Sequence, residues 1–364
     1  MVWAVLMMAG FASAQTWMQT SAPTNIYVSI ASSADGSNLI AGANSVFLST
    51  NSGATWISNN LPTQPLVSIS ADGTKMTAVG SPTVVSTNSG ATWITNISFI
   101  SPFSLAASAD GSKLIALNNS SAGIISTNYG ITWKNFSAPG NKVTMSADGT
   151  KSYFAVYHTT NLFVSTNLGT TASRIASPSV TVISLAVSAD GRKLIAGTIT
   201  GPLYISTNSG TSWTATSSPV TNWFFVGSSA DGSHLIGASR GSPANGSIYT
   251  SSDSGLTWIS NNIASLLWSG VASSADGGEL LAIYPNNVFI SKTMVLPNLN
   301  LTSSSNNLTL GWIIPSTNFV LQQSSDLFSW ADVTNPPVLN FTNLQNQVTL
   351  TQSGKSGFYR LKTP

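Results

Sequence analysis

The tetrapeptide Ser-Ala-Asp-Gly is written seven times along this chain, with its aspartate at Asp35, Asp72, Asp110, Asp148, Asp190, Asp231 and Asp276. Successive aspartates lie 37 to 45 residues apart. A unit of that length cannot bury its own apolar face, so it must stack on copies of itself, as propeller blades or solenoid turns do. The text between the repeats selects strands. In the third unit, FSLAASA leads to Asp110-Gly111, then KLIALN, a Ser/Asn/Gly loop, GIISTN, a turn at Gly130 and TWKNF. These are four short β-branched and aromatic runs separated by turn residues, with no helical period. Asp-Gly suits a hairpin because glycine tolerates positive φ. Four strands in each of seven units predict an all-β, seven-bladed β-propeller.

A second phrase follows most of the tetrapeptides. STNSGATW stands at Ser49–Trp56 and again at Ser86–Trp93, and STNYGITW, STNLGTTA, STNSGTSW and SSDSGLTW continue the series. This phrase resembles the Asp-box, or BNR repeat, Ser/Thr-x-Asp-x-Gly-x-Thr-Trp/Phe. The resemblance covers about residues 16–293 and sets the chain beside sialidase-like and WD40/YVTN/BNR-like repeat proteins. Only Asp253 keeps the aspartate; Asn51, Asn88, Asn128, Asn167 and Asn208 replace it. Either side chain accepts hydrogen bonds from the backbone just ahead. Ala172 replaces the tryptophan in the fourth unit, which predicts looser contacts in that blade. The resemblance puts the box on the turn between a blade's third and fourth strands, away from the ligand face. A motif present in six units reads as a staple.

The seventh unit ends at VFISKTM (288–294) without a Thr-Trp strand, while Gln15-Thr16-Trp17 precedes the first blade. A strand at Thr16–Met18 is therefore expected to complete blade seven, closing the ring from the N-terminal side and leaving no open edge. Residues 1–14 read as a signal peptide, with an apolar run at Val2–Phe11 and small residues at Ala12-Ser13-Ala14. That run is shorter than the about 20 residues of a membrane span. The propeller is expected over 15–296. The alternating segments of 297–364 predict a small β-sandwich, and the ending GFYRLK resembles Ig- or fibronectin-III-like modules on secreted bacterial proteins. A monomer at the bacterial cell surface or outside the cell is expected, with no membrane insertion.

Only 7% of residues are charged, against about 25% in an average soluble protein. No basic cluster exists, so nucleic acid is not an expected partner. The absence of cysteine excludes disulfides and thiol chemistry. No cofactor or metal is expected: one carboxylate per turn falls short of the six to eight oxygens calcium takes.

Kinship with sialidases implies a catalytic Tyr/Glu pair, an aspartic acid and three arginines. The chain has ten Asp and one Glu. Seven Asp belong to the tetrapeptides, Asp253 to a box, and Asp326 and Asp332 to the tail. Glu279 fills a strand-start slot that Asn38, Lys75, Lys113, Lys151, Lys193 and His234 fill elsewhere, and it is expected to be solvated there. Of four arginines, Arg192 is in a turn and Arg360 in the tail. Paired-carboxyl hydrolysis therefore lacks its residues, and the chain is expected not to be an enzyme. A sialidase-type glycoside hydrolase and a purely structural envelope component remain the alternatives. The leading expectation is a secreted scaffold binding an extracellular polysaccharide or protein. Its ligand-binding residues should lie among Tyr157, His158, Arg174, Trp223, Phe224, Arg240, Trp268 and Tyr284, the non-repeating residues of the face opposite the boxes. For Trp223 and Trp268, filling space between blades is the competing reading.

Overall fold

The computed structural model describes residues 15–59, 61, 65–96, 101–240, 246–304, 307–315, 318–351 and 357–363; the proposed signal peptide lies outside them. Seven four-stranded antiparallel sheets follow one another, and each takes its first strand innermost. Blade one is Ser29–Ser32, Leu39–Gly42, Val46–Ser49 and Ile57–Ser58. Blade three, read from sequence above, is Pro102–Ala107, Leu114–Asn118, Ala122–Ser126 and Lys134–Ser137. The chain is a seven-bladed β-propeller. In blade seven, Gly270–Ser273, Glu279–Tyr284 and Asn287–Lys292 are joined by Trp17–Gln19 from the far end of the chain, in the register Trp17↔Ser291 and Gln19↔Phe289. That strand begins one residue later than the sequence suggests.

Each tetrapeptide forms the hairpin between a blade's first two strands. In blade one Ser33 Oγ donates to Asp35 Oδ1 (2.6 Å), the Ser37 amide donates to the same oxygen (3.0 Å), and the Asn38 amide donates to Ser33 Oγ (3.0 Å). Gly36 takes φ 76° at the tip, a conformation cheap only for glycine. The alanine has a different task. Ala34 N–H donates to Ala71 C=O, Ala71 to Ala109, Ala109 to Ala147, Ala147 to Ala189, Ala189 to Ala230, Ala230 to Ala275 and Ala275 back to Ala34, all at 2.7–2.9 Å. This circuit of backbone bonds ties every blade to the next at one end of the central channel.

The box phrases close the turn between third and fourth strands. Gly53 N–H donates to Ser49 Oγ (2.9 Å), Thr55 N–H to Asn51 Oδ1 (2.8 Å) and Trp56 Nε1 to Gly53 C=O (3.1 Å). Asparagine replaces aspartate because the threonine hydroxyl reverses its role. Asn51 Nδ2 donates to Thr55 Oγ1 (2.9 Å), whereas Thr257 Oγ1 donates to Asp253 Oδ2 (2.6 Å). In blade four, where Ala172 replaces tryptophan, Phe154 is wholly buried and its ring, with that of Phe136, crowds Gly169. Neighbouring aromatics thus fill the space that was expected to be loose.

The strand-start slot is only partly solvated, and at Glu279 it is buried. Each of its side chains lies over the tetrapeptide glycine of the following blade: Asn38 over Gly73, Lys75 over Gly111, His234 over Gly277 and Glu279 over Gly36. Glu279 is only 2% exposed. Its Oε2 meets half-exposed Lys292 Nζ at 3.3 Å. Burial pushes the carboxyl up to about 7, with Lys292 opposing.

After the propeller, two small sheets, Asn300–Ser304/Asn307–Ile313/Gln345–Thr351/Val338–Asn340 and Val320–Ser324/Ala331–Asp332/Phe358–Lys362, enclose Leu310, Trp312, Leu321 and Val348 as a β-sandwich. Its Ile313, Ile314, Leu339 and Leu344 pack on the alanine circuit. The tail thus covers one end of the channel with apolar side chains.

Removing residues 15–20 should expose the edge of Asn287–Lys292 and lower the melting temperature by about 5 °C or more in one cooperative transition; thermal unfolding followed by circular dichroism measures this. For Glu279, the raised folded-state value favours the protonated fold, so that stability is whole below about 4.5 and falls as pH rises through about 7. Urea midpoints should drop from pH 5 to pH 8 by the equivalent of roughly 1–3 kcal/mol, and Glu279→Gln should flatten that slope.

Candidate functional site

In a four-stranded antiparallel blade the first and third connections share one face, and the second connection shares the other with the passage to the next blade. The tetrapeptide and box turns therefore occupy one face together. At the opposite end, the first residues of the inner strands surround a cavity of about 240 Å³ lined by Phe103, Lys142, Phe224 and Phe225 among others. A second cavity, about 180 Å³, lies at the alanine circuit; its lining is mainly serine, alanine and short apolar residues, including Leu344 of the tail. It holds no titratable side chain. The first cavity is the candidate site.

Phe103 and Phe224 reach it through the same local device. The inner strands of blades three and six slip register between Pro102 and Ser104, and between Trp223 and Phe225. Such a bulge adds one residue and re-aims its neighbours. In blade six it lets Trp223 sink between blades while Phe224 and Phe225 line the cavity.

Two cations stand on these rings. Lys142, first residue of the inner strand Lys142–Met145, holds Nζ 4.0 Å from the centroid of Phe103 and 5.5 Å from that of Tyr157. The rings of Phe103 and Tyr157 meet edge to face at 5.1 Å, and Tyr157 and His158 at 4.1 Å. The Arg240 guanidinium carbon lies 5.0 Å from the Phe224 centroid and 5.4 Å from that of Phe225. Arg240 Nε donates to the Trp268 carbonyl (2.9 Å). Such contacts favour a cation over an aromatic face. Burial lowers the Lys142 ammonium to about 8, leaving it mostly charged at neutral pH. Burial also lowers Arg240, with Tyr157 opposing.

The acidic residues are all elsewhere. Each tetrapeptide aspartate accepts from its own turn, as Asp110 does from Ser108 Oγ (2.6 Å) and the Ser112 amide (3.0 Å). For Asp72, Asp110, Asp148 and Asp231 burial opposes the charge, but these hydrogen bonds and a neighbouring Lys or His more than offset it and hold the carboxyls below their ordinary value. Asp253 closes its box, Asp326 and Asp332 are in the tail, and Glu279 lies against Gly36. Among the described residues no three His, Asp or Glu side chains gather as a metal site.

Of the eight residues singled out from sequence, Tyr157, His158, Phe224 and Arg240 come together at this mouth. Trp223 and Trp268 are fully buried in cores between blades, with Nε1 donating to Pro219 C=O (3.2 Å) and Gly246 C=O (3.2 Å). Tyr284 pairs with Asn287 beside the Trp268 core. Arg174 is exposed on the outermost strand of blade four, opposite Phe163. The loop after Arg240, residues 241–245, lies outside the described residues. Sequence reasoning missed Phe103, Lys142 and Phe225. The available signal was a lysine opening an inner strand where its counterparts in the other blades are uncharged.

No protein-family model and no curated protein matches the chain. Solved structures do, at the level of fold. The structure titled YCF48 bound to D1 peptide shares 16% identity over 79% of this chain and 99% of its own, with TM-score 0.60. Hydrazine synthase of Kuenenia stuttgartiensis gives 15%, 79%, 99% and 0.57. U3-55K gives 10%, 77%, 100% and 0.61. At such identities the likeness concerns the propeller alone.

Trp223→Ala and Trp268→Ala should each cost about 3–5 kcal/mol in unfolding free energy. A variant that stayed folded would keep its ligand affinity, measured by titration calorimetry.

Proposed function

We propose that this chain is a secreted, non-catalytic propeller scaffold that binds an extracellular protein or polysaccharide at the open mouth of its channel. The observation that carries this reading is the mouth itself: two cations on aromatic rings, beside a concave surface, with all eleven Asp and Glu side chains of the chain placed elsewhere. Hydrolysis by paired carboxyls needs two such groups about 5 to 9.5 Å apart across one sugar. Here the aspartates shape hairpins on the far face. The apolar run at Val2–Phe11 with small residues after it supports export, and no helix of the described residues is long and apolar enough to cross a membrane. A propeller structure that carries a bound peptide, YCF48 with D1 peptide, supports the reading to the extent that this frame can present a peptide-binding surface.

A test pairs a glycan array and a peptide array with a fluorogenic sialoside assay on the protein from residue 15. The expected outcome is binding without turnover. The Phe103→Ala/Phe224→Ala double variant should weaken that binding about tenfold or more while its far-UV spectrum stays unchanged. Sialoside turnover above background would favour the hydrolase, and silence on both arrays the purely structural protein.

A further inference from the structure

The mouth of the channel differs from a general binding surface in what its polar groups have left to offer. Its serines are already used as latches between blades. Ser29 Oγ accepts from Val67 N–H (3.1 Å) and Ser104 Oγ from Val143 N–H (3.0 Å). Ser184 Oγ donates to the Trp223 carbonyl (3.0 Å), and Ser269 Oγ to the Tyr27 carbonyl (2.9 Å). The amides are used as well: Asn141 Oδ1 accepts from Tyr157 N–H (2.7 Å) while its Nδ2 donates to Asn119 C=O (2.9 Å), and Asn222 Oδ1 accepts from Thr200 N–H (2.9 Å). Lys142 Nζ has no hydrogen bond or ion pair among the described residues and lies over the Phe103 ring. Arg240 commits Nε to Trp268 and keeps the rest of its fork.

The charged groups that remain are donor-only. An ammonium and a guanidinium offer N–H groups and no acceptor. Sugar hydroxyls donate as well as accept, and binding them closely takes acceptors such as carboxylates and amides, which this mouth has spent or placed elsewhere. A carboxylate accepts only, and it suits a half-buried cation that lacks a counter-charge. Phe103, Phe224 and Phe225 next to the cations suit apolar side chains flanking that carboxylate. The far end of the channel bears the tail residues Ile313, Ile314, Leu339 and Leu344 on the alanine circuit, so a ligand enters from one side.

Resting on the scaffold reading above, we propose that the mouth binds an acidic protein segment, whose carboxylates pair with Lys142 and with Arg240 while neighbouring apolar side chains lie on Phe103, Phe224 and Phe225. Lys142 serves as the point charge and Arg240 as the fork, with Tyr157 and His158 beside Phe103 on the Lys142 side. A polysaccharide is the competing occupant at the same mouth.

The experiment measures fluorescence polarisation of short labelled peptides in which Glu alternates with Leu and Phe, beside matched peptides with Gln for Glu and a labelled oligogalacturonate. The expected result is binding of the Glu peptides only, weakened by added salt and about tenfold or more weaker in Lys142→Met. Arg174→Met, which removes a cation from the outer strand, should leave that affinity unchanged, and both variants should keep the parent melting temperature. Equal binding of the Gln peptides, or an unchanged affinity in Lys142→Met, overturns the anionic assignment. If Phe103→Ala/Phe224→Ala still abolishes binding in that case, the mouth stands as the scaffold's site. Preferential binding of oligogalacturonate makes the occupant a glycan and overturns the proposal. Binding of none of the probes overturns the acidic-segment proposal, and the array tests of the scaffold reading then stand alone.

Discussion

Seven backbone hydrogen bonds between consecutive tetrapeptide alanines hold the channel end of every blade at one level, and the rest of the molecule is arranged around them. Each alanine donates to one neighbour and accepts from the other, so the circuit returns to Ala34 from Ala275. One such bond is worth about 0.5–1.5 kcal/mol net. Their number matters less than their closure, because each forms only when the blades on both sides are in place. Alanine suits the position sterically: seven side chains converge on a narrow axis, and methyl groups leave room for Ile314 and its neighbours to cover them.

That circuit dictates where charge sits. The turn that presents the alanine needs a carboxylate two residues after the serine, to accept from the serine hydroxyl and the amide beyond the glycine. Repeating the turn seven times commits seven aspartates to one face. The slot side chains over the neighbouring glycines bring four lysines, His234 and Glu279 to the same face, so charges of both signs mix there. The opposite face receives no carboxyl group, and Lys142 and Arg240 stay uncompensated there. The polarity of the molecule follows from hairpin chemistry, and the candidate mouth lies on the face that this chemistry leaves free.

Much of the fold was legible because hairpins are local. The four strands of blade three match the runs around Asp110-Gly111 and Gly130, and the N-terminal strand was displaced by one residue only. Strand content could also be read from the unmatched Thr-Trp at the start of the chain. The errors came from side-chain direction. Glu279 stands after a turn, where a charged residue normally meets water, yet the next blade folds over it and leaves it 2% exposed. Trp223 and Phe224 are adjacent and equally apolar; a bulge decides that one is buried between blades and the other lines the cavity. No sequence pattern announces that bulge.

The sequence alone determined the repeat, the number of blades, the turn that each aspartate closes and the shortage of free carboxyl groups, since all of these depend on residues within a few positions of one another. Only the tertiary structure decided that Phe103 and Lys142 from adjacent blades, and Phe224, Phe225 and Arg240 from a third, share one mouth. It also decided that the tail lies on the alanines at the other end. Those relations join residues from different blades, 39 positions apart for Phe103 and Lys142 and 121 for Phe103 and Phe224. They arise from the angle between blades and the slip of individual strands, which short-range propensity does not encode.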